Sequence, residues 1–537
     1  MKEKFSGWHL LFVQYFKRDW KQIIIWVLGI GLFSSAFVPA FQEISKGQGL
    51  TGMFETLKNP AMISMVGQTP VDNAEDYTLG AMYAHEMLLF CGLLSIIVSI
   101  LHTVSHTRKE EDKGLIEIVR SFQVGRQANA LATILEVILI NILLALLISG
   151  IMVSYGAESM TVAGSILFGS SVGTAGILGG SIGLLMSQLM PNSASATGSS
   201  LGFVGLMYII RAGTDINNES LSMWNPVGWT YLTYPFTDNN WQPIIFALLF
   251  SIIMMITSFI LEEHRDLGAG YLPEKEGRAR ARKSLLSVKG LFFRLNRGVI
   301  LAWMISFAVM GAAYGSIYGS MESFIESNDL LQGMFSASGF TIEESFTATI
   351  MMVLITMVGI LPIAIINKLF KEERRSHLSQ FYVTTVTRAK LYWSNIFLAV
   401  LTGMLGIFIA AGSLGLTAVA VMEGKSDMKF FEFLIAGFNF LPAVLFYTGL
   451  SGLILGAIPK MGKFVYIYLI ISFLINYFGS ILDMPDWIFK IAIQSWLPEM
   501  PTEDFNPLVF FTIIVISFIL IILGFFIYKQ RDFKEGS

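Results

Sequence analysis

The chain is written in long apolar runs separated by short polar breaks. A helix needs about 20 mostly apolar residues to cross the hydrocarbon core of a bilayer, and run after run reaches that length. About twelve spans follow from this rule, near residues 21–42, 84–106, 130–155, 162–190, 198–211, 242–262, 298–320, 345–369, 391–421, 430–458, 464–481 and 508–528. The fifth is short for the rule. The first follows a basic N-terminus, and Val38-Pro39-Ala40 resembles a cleavage site, yet the stretch from Ile23 to Phe41 is long enough to span and is read as an uncleaved first span. The expected fold class is an all-α polytopic membrane protein.

Composition agrees with that reading. Of 537 residues, 54% are hydrophobic and 14% charged, against about 25% charged in a soluble domain. A net charge of −3 supplies no basic field for nucleic acid, and the single cysteine, Cys91, excludes an intramolecular disulfide framework. Lys and Arg collect in short cytoplasmic loops. With the N-terminus inside, all but Lys46, Lys58, Arg211, Lys425, Lys429 and Lys490 of the 36 fall on one side. That asymmetry predicts N- and C-termini in the cytoplasm.

The polar breaks carry a second pattern. RKEEDKGLIEIVRSFQVGR (108–126) and FKEERRSHLSQFYVTTVTR (370–388) have equal length and similar layout. Overlaid, they pair Glu110 and Glu111 with Glu372 and Glu373, Val124 with Val386, and Arg126 with Arg388. Arg265-Asp266 after the sixth span returns as Arg531-Asp532 after the twelfth, and the fourth and tenth spans each end at a proline, Pro191 and Pro459. The chain therefore reads as two fused six-span halves, residues 1–262 and 285–537, joined by a cytoplasmic linker at 263–284. An even number of spans makes the halves parallel, related by an axis along the membrane normal.

Each half also opens on an amphipathic stretch, either a helix lying on the membrane surface or an anchor for the adjoining span: Trp8, Leu11, Phe12, Tyr15 and Phe16 beside Lys17 and Arg18, then Leu285, Val288, Phe292 and Leu295 among basic residues. Chemistry of the chain's own is not evident. Gly424-Lys425-Ser426 ends like a P-loop, but Val419 stands where the first glycine belongs. The G-x-S-x-G strings at 169–173 and 198–202 lie in small-residue spans, where close helix packing is the better account, as it is for the G-x-x-x-G pairs Gly176/Gly180, Gly179/Gly183 and Gly452/Gly456. The six histidines form no H-E-x-x-H and have no Cys companions. No catalytic, metal or cofactor-binding residue is assigned, and an enzyme is not expected.

The segment at 108–126, with its apolar core of Leu115, Ile116, Ile118 and Val119, predicts a short cytoplasmic helix built to be touched. Glu110, Gly114, Glu117 and Ile118, followed by Val124 two residues before Arg126, resemble the coupling segment of bacterial ABC-2-type permeases. In the second copy Glu372, Val386 and Arg388 remain, while Ser376 and Ser379 replace the glycine and the second glutamate. RDLGAGYLP (265–273), NPVGW, YPF and WQP are similar to permeases of the polyketide and polyether antibiotic exporter group, which includes tetronasin and narasin resistance transporters. That resemblance implies two ABC-2-type halves on one chain in a bacterial plasma membrane, a pair of ABC-type ATP-binding partner subunits that hold ATP and Mg, and a hydrophobic small-molecule cargo.

Within the bilayer, Glu136 is the intramembrane candidate: an unneutralised acid at mid-bilayer costs about 2.5–3.5 kcal/mol on the insertion scale. A shallow position or a bond to Asn141 would relieve it. Asn395, Asn439 and Asn476 are candidates for a path lining or for interhelical hydrogen bonds. The alternative to an ATP-driven exporter is a proton-coupled multidrug antiporter, which has the same span number and would use Glu136 as a proton carrier.

Overall fold

The computed structural model describes residues 4–46, 49–58, 60–217, 219–272, 280–320, 341–375, 377–378, 381, 383–422, 428–479 and 484–531. Gly424-Lys425-Ser426, Ser376, Ser379, Asp532 and part of the linker lie outside them. The described residues are helical, without strands, and eleven helices are long and apolar enough to cross a membrane. The chain is a multi-pass all-α membrane protein, and it divides into two compact units near residue 277.

In the first unit the main helices are α1 (Trp8–Ser35), α2 (Leu79–His106), the short α3 (Arg108–Asp112) and α4 (Leu115–Arg120), then α5 (Ala128–Ser154), α6 (Val162–Leu189), α7 (Ser193–Asn217) and α8 (Gln242–His264). Helix α6 packs against α2, α5, α7 and α8, and its glycines are the reason it can. A Cβ on Gly179 would sit 2.4 Å from the Ile96 carbonyl oxygen of α2, and one on Gly180 would sit 2.6 Å from Val137 of α5. Without a driving force from water, close backbone approach is what binds helices in lipid. Ser171 in the same helix donates to Leu167 O at 2.8 Å and shares a 2.9 Å hydrogen bond with Thr233. It is a packing residue inside a helix, far from the strand-to-helix turn a nucleophile elbow needs.

The second unit contains α9 (Val288–Ser316), α10 (Ile342–Arg374), α11 (Arg388–Met422), α12 (Phe430–Asn439), α13 (Leu441–Ala457), α14 (Phe464–Phe478) and α15 (Pro507–Gln530). Helix α11 packs against α9, α10, α12 and α13, and α13 against α15. The α13–α15 crossing is again glycine on glycine: a Cβ on Gly456 would meet Gly524 O at 2.5 Å, and one on Gly524 would meet Gly452 O at 2.5 Å. Thr341 and Glu344 form a capping box that starts α10.

Three expectations change. The amphipathic openings are not separate surface helices: Trp8 to Ser35 and Val288 to Ser316 each run unbroken into their span, because no Pro or Gly punctuates 17–22 and the Leu285 side is only a short 3-10 turn. The fifth span does not stop at 211 but continues to Asn217. Arg211 and Asp215, both fully buried, pair at 2.9 Å, and Tyr231 donates to Asp215 at 2.6 Å, so the charge that ended the expected span is neutralised inside the protein. The eleventh expected span is the 15-residue α14, shorter than the about 20 residues usual for a full crossing, so eleven of the described helices have full spanning length and this apolar one falls short of it. Between α1 and α2 the chain also folds three short helices, Val38–Ile44, Gly49–Leu57 and Pro60–Val66, around Phe54, Leu57, Val66 and Tyr77.

Candidate functional site

The segment that follows α2 turns twice. Thr107 leaves the helical region and α3 begins, then Gly114, at φ 72°, takes the left-handed conformation that a residue with Cβ avoids and opens α4. Ile116 is buried beneath α4 and Val119 half-buried, while Leu115 (41%), Ile118 (61%) and Phe122 (69%) are exposed. Glu117 is exposed beside them. The return strand of chain is tied to the N-terminus: Gly125 N–H donates to Ser6 O at 2.8 Å and Gln127 N–H to Lys4 O at 2.9 Å. Val124 packs half-buried against Gly7.

What holds this segment is an ion pair that joins the two repeated motifs. Glu111 accepts from Arg265 Nη1 and Nη2, each at 2.7 Å, from the Gly268 N–H at 2.7 Å, and from Arg108 at 3.0 Å. Arg265 continues to Gln188 at 2.7 Å and Ala269 O at 2.8 Å, and Arg126 donates to the Arg265 carbonyl. In the second unit Glu373 accepts from Arg531 at 2.6 Å, and Arg388 donates to Arg531 O at 2.5 Å and Lys529 O at 3.1 Å. The same three positions make the same closed arrangement in each unit: the second glutamate accepts from an arginine side chain, and that arginine's carbonyl accepts from the arginine that ends the segment. A bidentate guanidinium–carboxylate pair fixes orientation as well as distance.

The remaining predicted residues fall differently. Glu110 is buried and accepts from Arg18 at 2.8 Å and Tyr15 at 3.3 Å. Its counterpart Glu372 meets His377 at 2.6 Å. Val386 is half-buried against the core of its unit, with Val383 (91%) exposed beside it. Arg120, half-buried near Glu262 at 3.6 Å, has its pKa lowered by burial, which the nearby Glu262 opposes. Sequence reading noticed Arg265 and Arg531 as echoes without linking them to the glutamates. The signal was there, since both motifs recur in the same order.

Glu136 is fully buried, and its partner is not Asn141. Asn141 is occupied by Ser95 at 3.0 Å, Ser99 at 3.1 Å and Val137 O at 2.9 Å. Instead, His102 Nε2 lies 3.1 Å from Glu136 Oε2, and His106 Nε2 lies 2.8 Å from Asp19 Oδ2. The two imidazole rings stack with centroids 4.1 Å apart. His106 Nδ1 faces His102 O and Ser105, each at 2.9 Å. Helices α1, α2 and α5 build this cluster, and sequence reading passed over its i, i+4 histidine spacing. Of the asparagines, Asn439 donates to Pro498 O at 2.6 Å and Asn476 accepts from Ser495 at 3.2 Å, both tying helices to loops, while buried Asn395 has no hydrogen-bond partner.

Residues 285–529 match the family described as "Multidrug efflux system permease Rv1217c, C-terminal domain". The chain is 23% identical to the multidrug efflux system permease protein Rv1217c of Mycobacterium tuberculosis, over 99% of this chain and 96% of that protein.

Proposed function

We propose that this chain is the permease of an ATP-driven exporter of the ABC-2 type, extruding hydrophobic antibiotics of polyether or polyketide class with energy from a separate pair of ATP-binding subunits. The observation that carries the reading is the anchor made twice, Glu111 with Arg265 and Glu373 with Arg531. It sets a short polar segment at the same place in each unit, and in the first it leaves Leu115, Ile118 and Phe122 turned outward. Exposed large apolar residues grouped on a polar segment mark a protein contact. Assigned to the cytoplasmic face, residues 108–126 and 370–388 are the coupling segments, and ATP and Mg are held by the partner. The similarity to a multidrug efflux permease over nearly the full length supports an export role.

In this reading Glu111, Arg126, Glu373 and Arg388 hold the segments, while Glu117, Ile118 and the exposed apolar residues meet the partner. Reconstituting the chain in nanodiscs alone and with its ATP-binding subunit tests it. ATP hydrolysis coupled to cargo efflux is expected only from the complex, and Ile118→Asp with Phe122→Asp should lower it tenfold or more while the chain stays folded. Hydrolysis by the chain alone refutes the reading. The buried His102–Glu136 pair favours a second reading, proton-coupled antiport. Efflux that stops when the proton gradient is collapsed at constant ATP would select it.

A further inference from the structure

We propose that His102, His106 and Glu136 form a binding site for a divalent transition-metal cation, zinc foremost, that ties α2 to α5. Each residue offers one ligand atom, and the three atoms lie within 4.8 Å of one another with all three side chains buried. Two histidines at i and i+4 project from one face of a helix, the spacing that lets both imidazoles reach one ion. The third ligand comes from a different helix, so an ion here is a crosslink rather than a local ornament. Two nitrogens and a carboxylate oxygen are a donor set suited to zinc.

A further observation points to a cation. His102 Nδ1 and Glu136 Oε1 are buried without any hydrogen-bond partner, on side chains 1% and 0% exposed. Orphaned polar atoms at such depth are costly, and a bound ion is one of their accepted explanations. Asp19, 2.8 Å from His106 Nε2, adds a further carboxylate beside the cluster.

The test uses the untagged full chain in detergent, stripped with chelator and then dialysed against zinc or cobalt(II) at micromolar concentration. Elemental analysis is expected to find one ion per chain after gel filtration, and the cobalt form to show the visible absorption of a four-coordinate site. Glu136→Gln and His102→Gln should each abolish retention, Asp19→Asn should weaken it about 10- to 100-fold, and His9→Gln, at an exposed histidine, should leave it unchanged. Gel-filtration profile and helical content keep loss of ligand distinct from loss of fold. No retained ion in the wild-type chain, or retention that survives both ligand substitutions, overturns the proposal.

Discussion

Glu111 illustrates how much depends on a single carboxylate. Its side chain is 6% exposed and that of Arg265 7%, so neither charge has water to fall back on. Removing one partner of such a pair costs about 3–5 kcal/mol, because the other charge is left buried and uncompensated. Glu111→Gln and Arg265→Gln are each expected to lower the unfolding midpoint in detergent by that measure, and Glu373→Gln similarly in the second unit. By contrast Lys46→Ala breaks a pair in which both side chains are 69% exposed, and should leave the midpoint where it is. A different residue supplies a pH effect. Burial, with Glu503 adding repulsion, raises the pKa of Glu499 in the loop before α15. A raised acid means that the folded chain holds the proton more tightly than the unfolded one. Stability from this group is therefore full below the ordinary carboxylate range and falls as pH rises through the higher folded value. Melting curves across that interval should flatten in Glu499→Gln.

At the scale of the helix, glycines separate contact from open space. The Cβ of Gly179→Ala would fall 2.4 Å from the backbone oxygen of Ile96, which cannot rotate away, so α2 and α6 must part. Overpacking of that kind costs about 1–3 kcal/mol. Gly205 in α7 has nothing within 4 Å of the same position, and Gly205→Ala should instead gain about 0.4–1 kcal/mol by restricting the unfolded chain. Denaturation of the two variants side by side checks both signs. Run length and small-residue spacing made these helices legible in the sequence, because lipid demands a fixed length and lipid-phase packing demands small residues. The errors have physical causes too. Hydropathy cannot see that Arg211 and Asp215 neutralise each other four residues apart, nor that α1 carries its charged face straight into the span. The glutamate and arginine motifs were each visible, but their pairing depends on how α2, α6 and the chain after α8 meet, which no local pattern encodes.

Across the molecule, each unit closes its own anchor, and what differs is the surface that the anchor presents. In the first unit Leu115, Ile118 and Phe122 face outward around Glu117. In the second, among the described residues, Phe381 is packed into the core of its unit and Val383 stands at 91% exposure. If both segments are gripped by an ATP-binding subunit, the grip on the first has more apolar surface to use, and burying such a side chain is worth about 1.5–3 kcal/mol. Ile118→Asp with Phe122→Asp should therefore weaken association with the ATP-binding subunit far more than Val383→Asp does, by about tenfold or more for each lost side chain. Since all three side chains already sit in solvent, none of these substitutions should shift the unfolding midpoint of the chain alone. The measurement is co-purification and affinity of the partner in nanodiscs, with melting of the isolated chain as control. Equal losses from the two segments would mean that the first unit's outward triad is not the dominant contact.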